Sequence, residues 1–214
     1  MTVGDSIQAE LKKERIVHHS SNILNRGWKN IGLIAGGTGI APLLQLARLL
    51  LLDHDQDQVQ DNQNQELLTS LPKIYLLFIN CTKRDILGKH EIDLLQKKYP
   101  NNFFVTYSFT QEEQDDEDAD DTDTSSATYV KGRGDVTMAL SALPPPPSPT
   151  DEASTSDTDT MIFICGRDGF VSHWAGPVSR GPPSPGKKKG PKIQGPLLGI
   201  LNDAGYHENN VFKY

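Results

Sequence analysis

Two short glycine-rich turns concentrate the side chains and free amides best able to do chemistry. The first is Gly36-Gly37-Thr38-Gly39, which separates the apolar run IGLIA from the apolar run PLLQLARLLLL. Glycines at the end of a strand permit positive φ and let a ligand approach the main chain closely. Amide hydrogens at the start of the following helix, with the helix dipole, suit a pyrophosphate, and the Thr38 hydroxyl adds one more donor. The same glycines would serve equally to pack strand tightly on helix. Neither the GxGxxG spacing nor a GxxxxGK[ST] loop is present to decide between the two. The second turn closes the run MIFIC with Cys165 and Gly166, followed by Arg167, Asp168, Gly169 and Phe170. A lone cysteine at a strand end reads either as a small buried hydrophobe or as the wall of a ligand site. A nucleophilic thiol is disfavoured, because no histidine is placed locally to activate it.

Other chemistries find little support. The six histidines have no metal-ligand spacing, and His18 and His19 read as an exposed pair. No GxSxG elbow occurs. Lys187 to Lys189 sit among glycines and prolines and read as a solvated loop, with phosphate binding the lesser alternative. Aromatic residues do not interleave with basic ones, which argues against a nucleic-acid partner. Cys81 and Cys165 have no paired spacing, so a reducing compartment is expected. The longest apolar candidate, 40–52, is interrupted by Gln45 and Arg48 and is too short to span a bilayer. The first residues have neither a secretory core nor an Arg-rich amphipathic start, so secretion is not expected, and membrane attachment is not readable.

The apolar runs set the strands and helices on which the two turns are mounted. Residues 31–35 read as a short strand buried on both faces. A helix follows, with Pro42 in its first turn, where a missing amide hydrogen costs nothing. KIYLLFIN, residues 73–80, is the next strand. A helix is predicted over 89–99, with Ile92, Leu94, Leu95 and Tyr99 as its apolar stripe and Pro100 closing it. Residues 103–109 are aromatic and β-branched, a third strand. A short helix over 136–143 is stopped by Pro144 to Pro147. MIFIC is the fourth strand, and the remainder alternates glycine and proline before a helix near 196–204 and a last strand at 210–214. Strands separated by helical patterns predict an α/β fold, a doubly wound parallel sheet. Such sheets place ligands outside the carboxyl ends of their strands, where both turns fall.

The acidity of the chain belongs to insertions. Nine carboxylates lie between Gln111 and Ser126, five between Asp53 and Glu66, and four between Asp151 and Asp159. Without these eighteen, the formal charge of −7 becomes +11. The tracts at 53–69, 111–126 and 148–160 read as disordered excursions, and the framework between them is basic, as suits an anionic ligand.

In order along the chain, GDSIQ, IGLIAGGTGIAP, KIYLLFINCTKRDIL, YVKGRGDV, LPPP, IFICG and GYHENNVFKY resemble the nucleotide-binding part of the ferredoxin-NADP reductase superfamily, closest to its NADH-cytochrome b5 reductase branch. The resemblance implies an NAD(P)H-binding domain over 31–214. Residues 1–30 would be the C-terminal remnant and linker of a flavin-binding β-barrel, with Val3, Gly4 and Asp5 matching its usual turn. It makes Gly36, Gly37, Thr38, Gly39 and Pro42 the pyrophosphate and nicotinamide side of the site. Cys165 and Gly166 would lie against the nicotinamide, beside Arg167 and Asp168, and Cys165 and Thr38 would be the catalytic positions. Asp85 matches an acidic residue near the adenosine ribose. A carboxylate there repels a 2′-phosphate and so favours NADH over NADPH, although Lys83 and Arg84 would attract that phosphate. Tyr214 is either an aromatic near the flavin or a strand residue packed on the sheet. No metal site is implied.

The sequence departs from the branch after Cys165-Gly166, where a proline-rich stretch ending in Met is replaced by RDGF and VSHWAGP. From there through KIQGPLLGILNDAGY it is similar to a fungal mitochondrial branch of accessory flavoproteins linked to cytochrome c import and haem attachment. That implies a mitochondrial or other intracellular membrane-associated location. No flavin phosphate motif is present, so FAD is expected only in a complete protein. Two functions stay open. One is an NADH-dependent flavoprotein oxidoreductase passing electrons through FAD to a haem-protein acceptor. The other is a truncated, non-catalytic module that senses nucleotide or docks a partner, including an accessory role in mitochondrial cytochrome c maturation.

Overall fold

The computed structural model describes residues 27–57, 71–111, 126–147, 159–183, 185–186, 190 and 192–214. Residues 1–26 of the barrel remnant and linker expected over 1–30, and most of the three acidic tracts, lie outside these. β1 (Asn30–Gly36), β2 (Lys73–Asn80), β3 (Phe103–Phe109), β4 (Thr128–Lys131), β5 (Thr160–Cys165) and β8 (Val211–Lys213) form one sheet in the order β4-β3-β2-β1-β5-β8. Every pairing in it is parallel. β6 (Ser179–Arg180) and β7 (Lys192–Ile193) make a separate antiparallel ribbon.

The strands form because their apolar runs have helices to meet on both faces. From β1, Ile31, Leu33 and Ala35 join one cluster, against α1 (Ile40–Asp57) and α2 (Lys89–Lys98). Ile34 joins the other, with α3 (Val136–Ala142), α4 (Asp168–Ala175) and α5 (Ile200–Asp203). β5 divides in the same way, Met161 and Phe163 to the first cluster, Ile162 and Ile164 to the second. Each of these side chains other than Ala35 stabilises the fold by about 1.5–3 kcal/mol on burial. The sheet is doubly wound as expected, and the order reverses between β1 and β5.

Several boundaries differ from the expectations, for local reasons. α1 continues to Asp57, so the low-complexity tract begins inside the helix. Thr160 belongs to the sheet, not to a linker, and Asp159 is tied to its edge. The Asp159 carbonyl accepts from the amides of Lys29 and Asn30, and its carboxylate meets Lys29 at 2.6 Å. α4 was not expected at all. Its sequence DGFVSHWA follows a glycine-rich turn, yet Phe170, Val171 and Trp174 give it an apolar stripe, and Asp168 sits in the first turn, where the dipole favours a carboxylate. The final helix starts at Ile200 instead of near Pro196, because Gly199 is held at φ +70° and ψ −155°, outside helical geometry. β4 is an edge strand of four residues, too short for its alternation to show in the sequence.

Candidate functional site

Both glycine turns end neighbouring strands at the point where the strand order reverses. Gly36 is the last residue of β1, and Ala35 is in register with Cys165, the last of β5. After Gly36 the chain makes a single 3-10 turn, Gly37–Gly39, that leads directly into α1. Three glycines there answer three different demands. Gly37 is at φ +53° with open space where a side chain would stand, so its backbone face is free for a ligand to approach. Gly39 is buried, and a Cβ on it would lie 2.1 Å from the Cys165 carbonyl oxygen and 2.8 Å from the Gly166 nitrogen. The first turn is therefore pressed backbone to backbone onto the second. Gly36 faces the other side of the sheet, where a Cβ would stand 2.9 Å from the ring of Phe170.

Phe170 also covers Gly166, whose Cβ would lie 2.5 Å from the same ring. One aromatic side chain thus underlies both turns and contacts Trp174 at a centroid distance of 6.4 Å. Sequence reasoning passed over Phe170 because the helix that carries it was not foreseen. The signal was present in the four-residue spacing of Phe170 and Trp174. Trp174 is fully buried and packs onto the Gly134 position, where a Cβ would come within 2.0 Å of its ring. That holds the loop after β4 against the same helix.

Cys165 is half-buried and its side chain borders the opposite cluster, as does that of Tyr214. The Tyr214 amide donates to the Ile164 carbonyl at 3.0 Å, and its ring packs 6.4 Å from Phe163 and 5.6 Å from Phe212. Burial, and secondarily the neighbouring Cys165, push the Tyr214 phenol up to about 12. Next to it, Lys213 is buried, with its ammonium donating to the Pro196 carbonyl at 2.7 Å. Desolvation lowers its pKa, opposed in part by the charge of Glu208.

The remaining expected residues lie around this crevice. Thr38 is exposed at the tip of the first turn, and Pro42 is in the first turn of α1. Arg167 precedes α4 in extended geometry without capping it, and Asp168 opens the helix; both are exposed. Asp85 is at the carboxyl end of β2, two strand positions from β5. Its Oδ2 accepts from the Thr82 amide and hydroxyl, each at 2.9 Å, closing a reciprocal cap on the turn Lys83–Asp85. Lys83 Nζ lies 5.9 Å from the centroid of the Tyr129 ring. A groove of about 700 Å³ starts at Thr38 and runs between α1 and the residues Leu87 to Glu91, in the size range of small-molecule sites. Cys165 and Gly166 do not line it. Among the described residues no group of His, Cys, Asp and Glu could hold a metal ion, and no helix is long and apolar enough to cross a membrane.

The family model described as "Oxidoreductase NAD-binding domain" matches residues 33–175, from β1 to the end of α4. The chain belongs to that family. Its relatives are of the cytochrome b5 reductase type. It is 32% identical over 209 residues to NADH-cytochrome b5 reductase 2 of Saccharomyces cerevisiae (strain YJM789), covering 95% of this chain and 55% of the yeast protein. With the protein of the same name from Neosartorya fischeri it shares 32% identity over 186 residues, 87% of this chain and 44% of the relative. This NAD-binding domain therefore spans about half the length of the curated relatives it matches. Among solved structures, the cytochrome b5 reductase domain of Ulva prolifera nitrate reductase superposes with a TM-score of 0.53 at 20% identity, over 87% of this chain and 50% of that one. The CS-b5R domains of human Ncb5or, in the NAD+ form, give 0.51 at 14% identity, over 88% and 37%. Those likenesses show the fold, a parallel six-stranded sheet with helices on both faces.

Proposed function

We propose that this domain is the NADH-binding half of a flavin-dependent oxidoreductase that serves a one-electron haem-protein acceptor, of the cytochrome b5 kind named for its relatives. The observation that carries the reading is the backbone contact of Gly39 with Cys165 and Gly166 at the reversal of strand order. It joins an anion-binding helix start to a half-buried cysteine in one crevice, the place where open α/β sheets hold nucleotides. The residues present fit such a ligand. Gly37 leaves its backbone face open to a pyrophosphate, the first turn of α1 supplies amides and a positive dipole end, and Thr38 is exposed beside them.

In this reading the chain's own residues bind and orient. Gly36 to Gly39 hold the pyrophosphate, and Pro42 stiffens the start of α1. Cys165 and Gly166 form the wall against which the nicotinamide lies, with Arg167 and Asp168 at its rim. Tyr214, packed on Phe163 and Phe212, stands on the same side of the sheet as Cys165. Asp85 places a carboxylate where a 2′-phosphate would be repelled, so NADH is preferred to NADPH. When bound, the flavin of a complete protein would take the hydride and release its electrons singly.

Calorimetric titration with NADH and NADPH tests the binding half of the proposal. NADH oxidation by a protein in which this domain is joined to a flavin-binding domain, with FAD and cytochrome b5 present, tests the redox half. Saturable NADH binding, tighter than that of NADPH, with electron transfer to the haem, is the expected result. Binding without transfer would favour the nucleotide-sensing module, and no binding to either nucleotide would overturn the proposal.

A further inference from the structure

Asn80, the last residue of β2, is 6% exposed, and its amide Nδ2 is buried with no hydrogen-bond partner. The main chain of Asn80 is satisfied, its carbonyl accepting from Thr110, so the orphan is the side chain alone. Alternation along β2 says where that side chain lies. Ile74, Leu76 and Phe78 all join the cluster under α1, and Asn80 is the next position on the same face, towards the carboxyl edge. The last pair in the β1–β2 register is Gly36 with Ile79, so Asn80 is one step beyond it, alongside Gly37. The 3-10 turn Gly37–Gly39 packs against the ends of both β1 and β2. Asn80 therefore stands at the end of β2 that adjoins the glycine turn leading into α1.

A buried donor without a partner is costly, and an apolar side chain of the same size would remove the cost. From this we infer that Asn80 is a ligand-binding residue whose Nδ2 donates to a phosphate oxygen of the nucleotide seated at Gly36 to Gly39. The inference rests on the nucleotide reading above and adds a donor to it from a strand that the glycine motif does not include. In this arrangement the Asn80 amide would add a side-chain donor from β2 to the main-chain amides at the start of α1. An acceptor that is anionic strengthens such a bond.

The test compares the chain with Asn80→Leu and Asn80→Asp, using NADH and inorganic pyrophosphate as calorimetric probes and urea unfolding of the unliganded chain. The Asn80→Leu variant should bind both probes about 10- to 100-fold more weakly, as expected for a lost hydrogen bond to a charged group. Its unliganded unfolding midpoint should rise. Asn80→Asp should bind more weakly still, because a carboxylate there faces the phosphate. Unchanged affinity in Asn80→Leu, with the parent chain binding NADH, would overturn the inference and leave the nucleotide site standing. A fall in both affinity and midpoint would make Asn80 a structural residue and would also overturn it. A parent chain that binds neither probe would overturn the nucleotide reading itself, and this inference with it.

Discussion

Replacing Gly39 by alanine asks the structure to separate its two turns. The added methyl would be 2.1 Å from the Cys165 carbonyl oxygen, 2.5 Å from its carbonyl carbon and 2.8 Å from the Gly166 nitrogen. All three are backbone atoms, so no rotamer change relieves the contact, and one turn must move by about 1 Å to restore a normal separation. Overpacking of this kind costs roughly 3 kcal/mol, and for a domain of this size that lowers Tm by about 6–12 °C. Gly37→Ala provides the control. It meets no atom within 4 Å and is strained only by φ +53°, for which about 1 kcal/mol is expected. Urea unfolding of the two variants, with NADH affinity measured on each, reads the difference. Gly39→Ala should be the less stable by about 2 kcal/mol and should lose NADH affinity at temperatures where it is still folded. A Gly39→Ala chain as stable as Gly37→Ala would refute the backbone contact on which the site is built.

Three further outcomes follow from the same geometry. Gly166→Ala sets a methyl against a side chain instead of backbone, 2.5 Å from the Phe170 ring, so Phe170→Leu should restore part of the roughly 2 kcal/mol it costs. A double-mutant cycle by urea unfolding shows whether the two couple. The Tyr214 phenol is held up to about 12 from 10.0, so it stabilises the fold fully below pH 10 and this contribution is lost as pH rises towards 12. After allowance for the solvent that reaches the ring, the loss is about 1–2 kcal/mol, and Tyr214→Phe should show a correspondingly flatter fall in unfolding midpoint over that window. Asp85→Asn keeps an oxygen to cap Thr82 but removes the charge. Stability should change by less than about 0.5 kcal/mol, while calorimetry should show the NADPH-to-NADH affinity ratio rising roughly fivefold, the scale of a screened surface charge.

What the sequence made legible depended on how local the cause was. β2 and β3 have the boundaries expected of them, because KIYLLFIN and FFVTYSF are apolar, aromatic and β-branched runs bounded by turn residues. The two glycine turns were visible as turns. That they touch was not, since the contact of Gly39 with Cys165 joins residues 126 positions apart and depends on sheet order. α4 escaped notice because eight residues beginning Asp-Gly read as part of a glycine-rich loop, and its apolar stripe has meaning only once a second face of the sheet needs covering. Phe170 was lost with it. Asn80 carried no local signal at all, because an asparagine at a strand end is ordinary until its amide is seen buried beside Gly37. Asp85 was found by resemblance, and its reciprocal cap with Thr82 gives the turn Lys83–Asp85 a structural reason that the resemblance did not supply.

A pyridine nucleotide seated in the crevice between the carboxyl ends of β1 and β5 would shield both glycine turns from solvent. Amide hydrogen exchange with and without saturating NADH reads that shielding. Exchange should slow at residues 36–41 and 165–168, with the far ends of the same strands unchanged. Protection confined to the groove between α1 and Leu87 to Glu91, with none at Cys165 and Gly166, would contradict that seating.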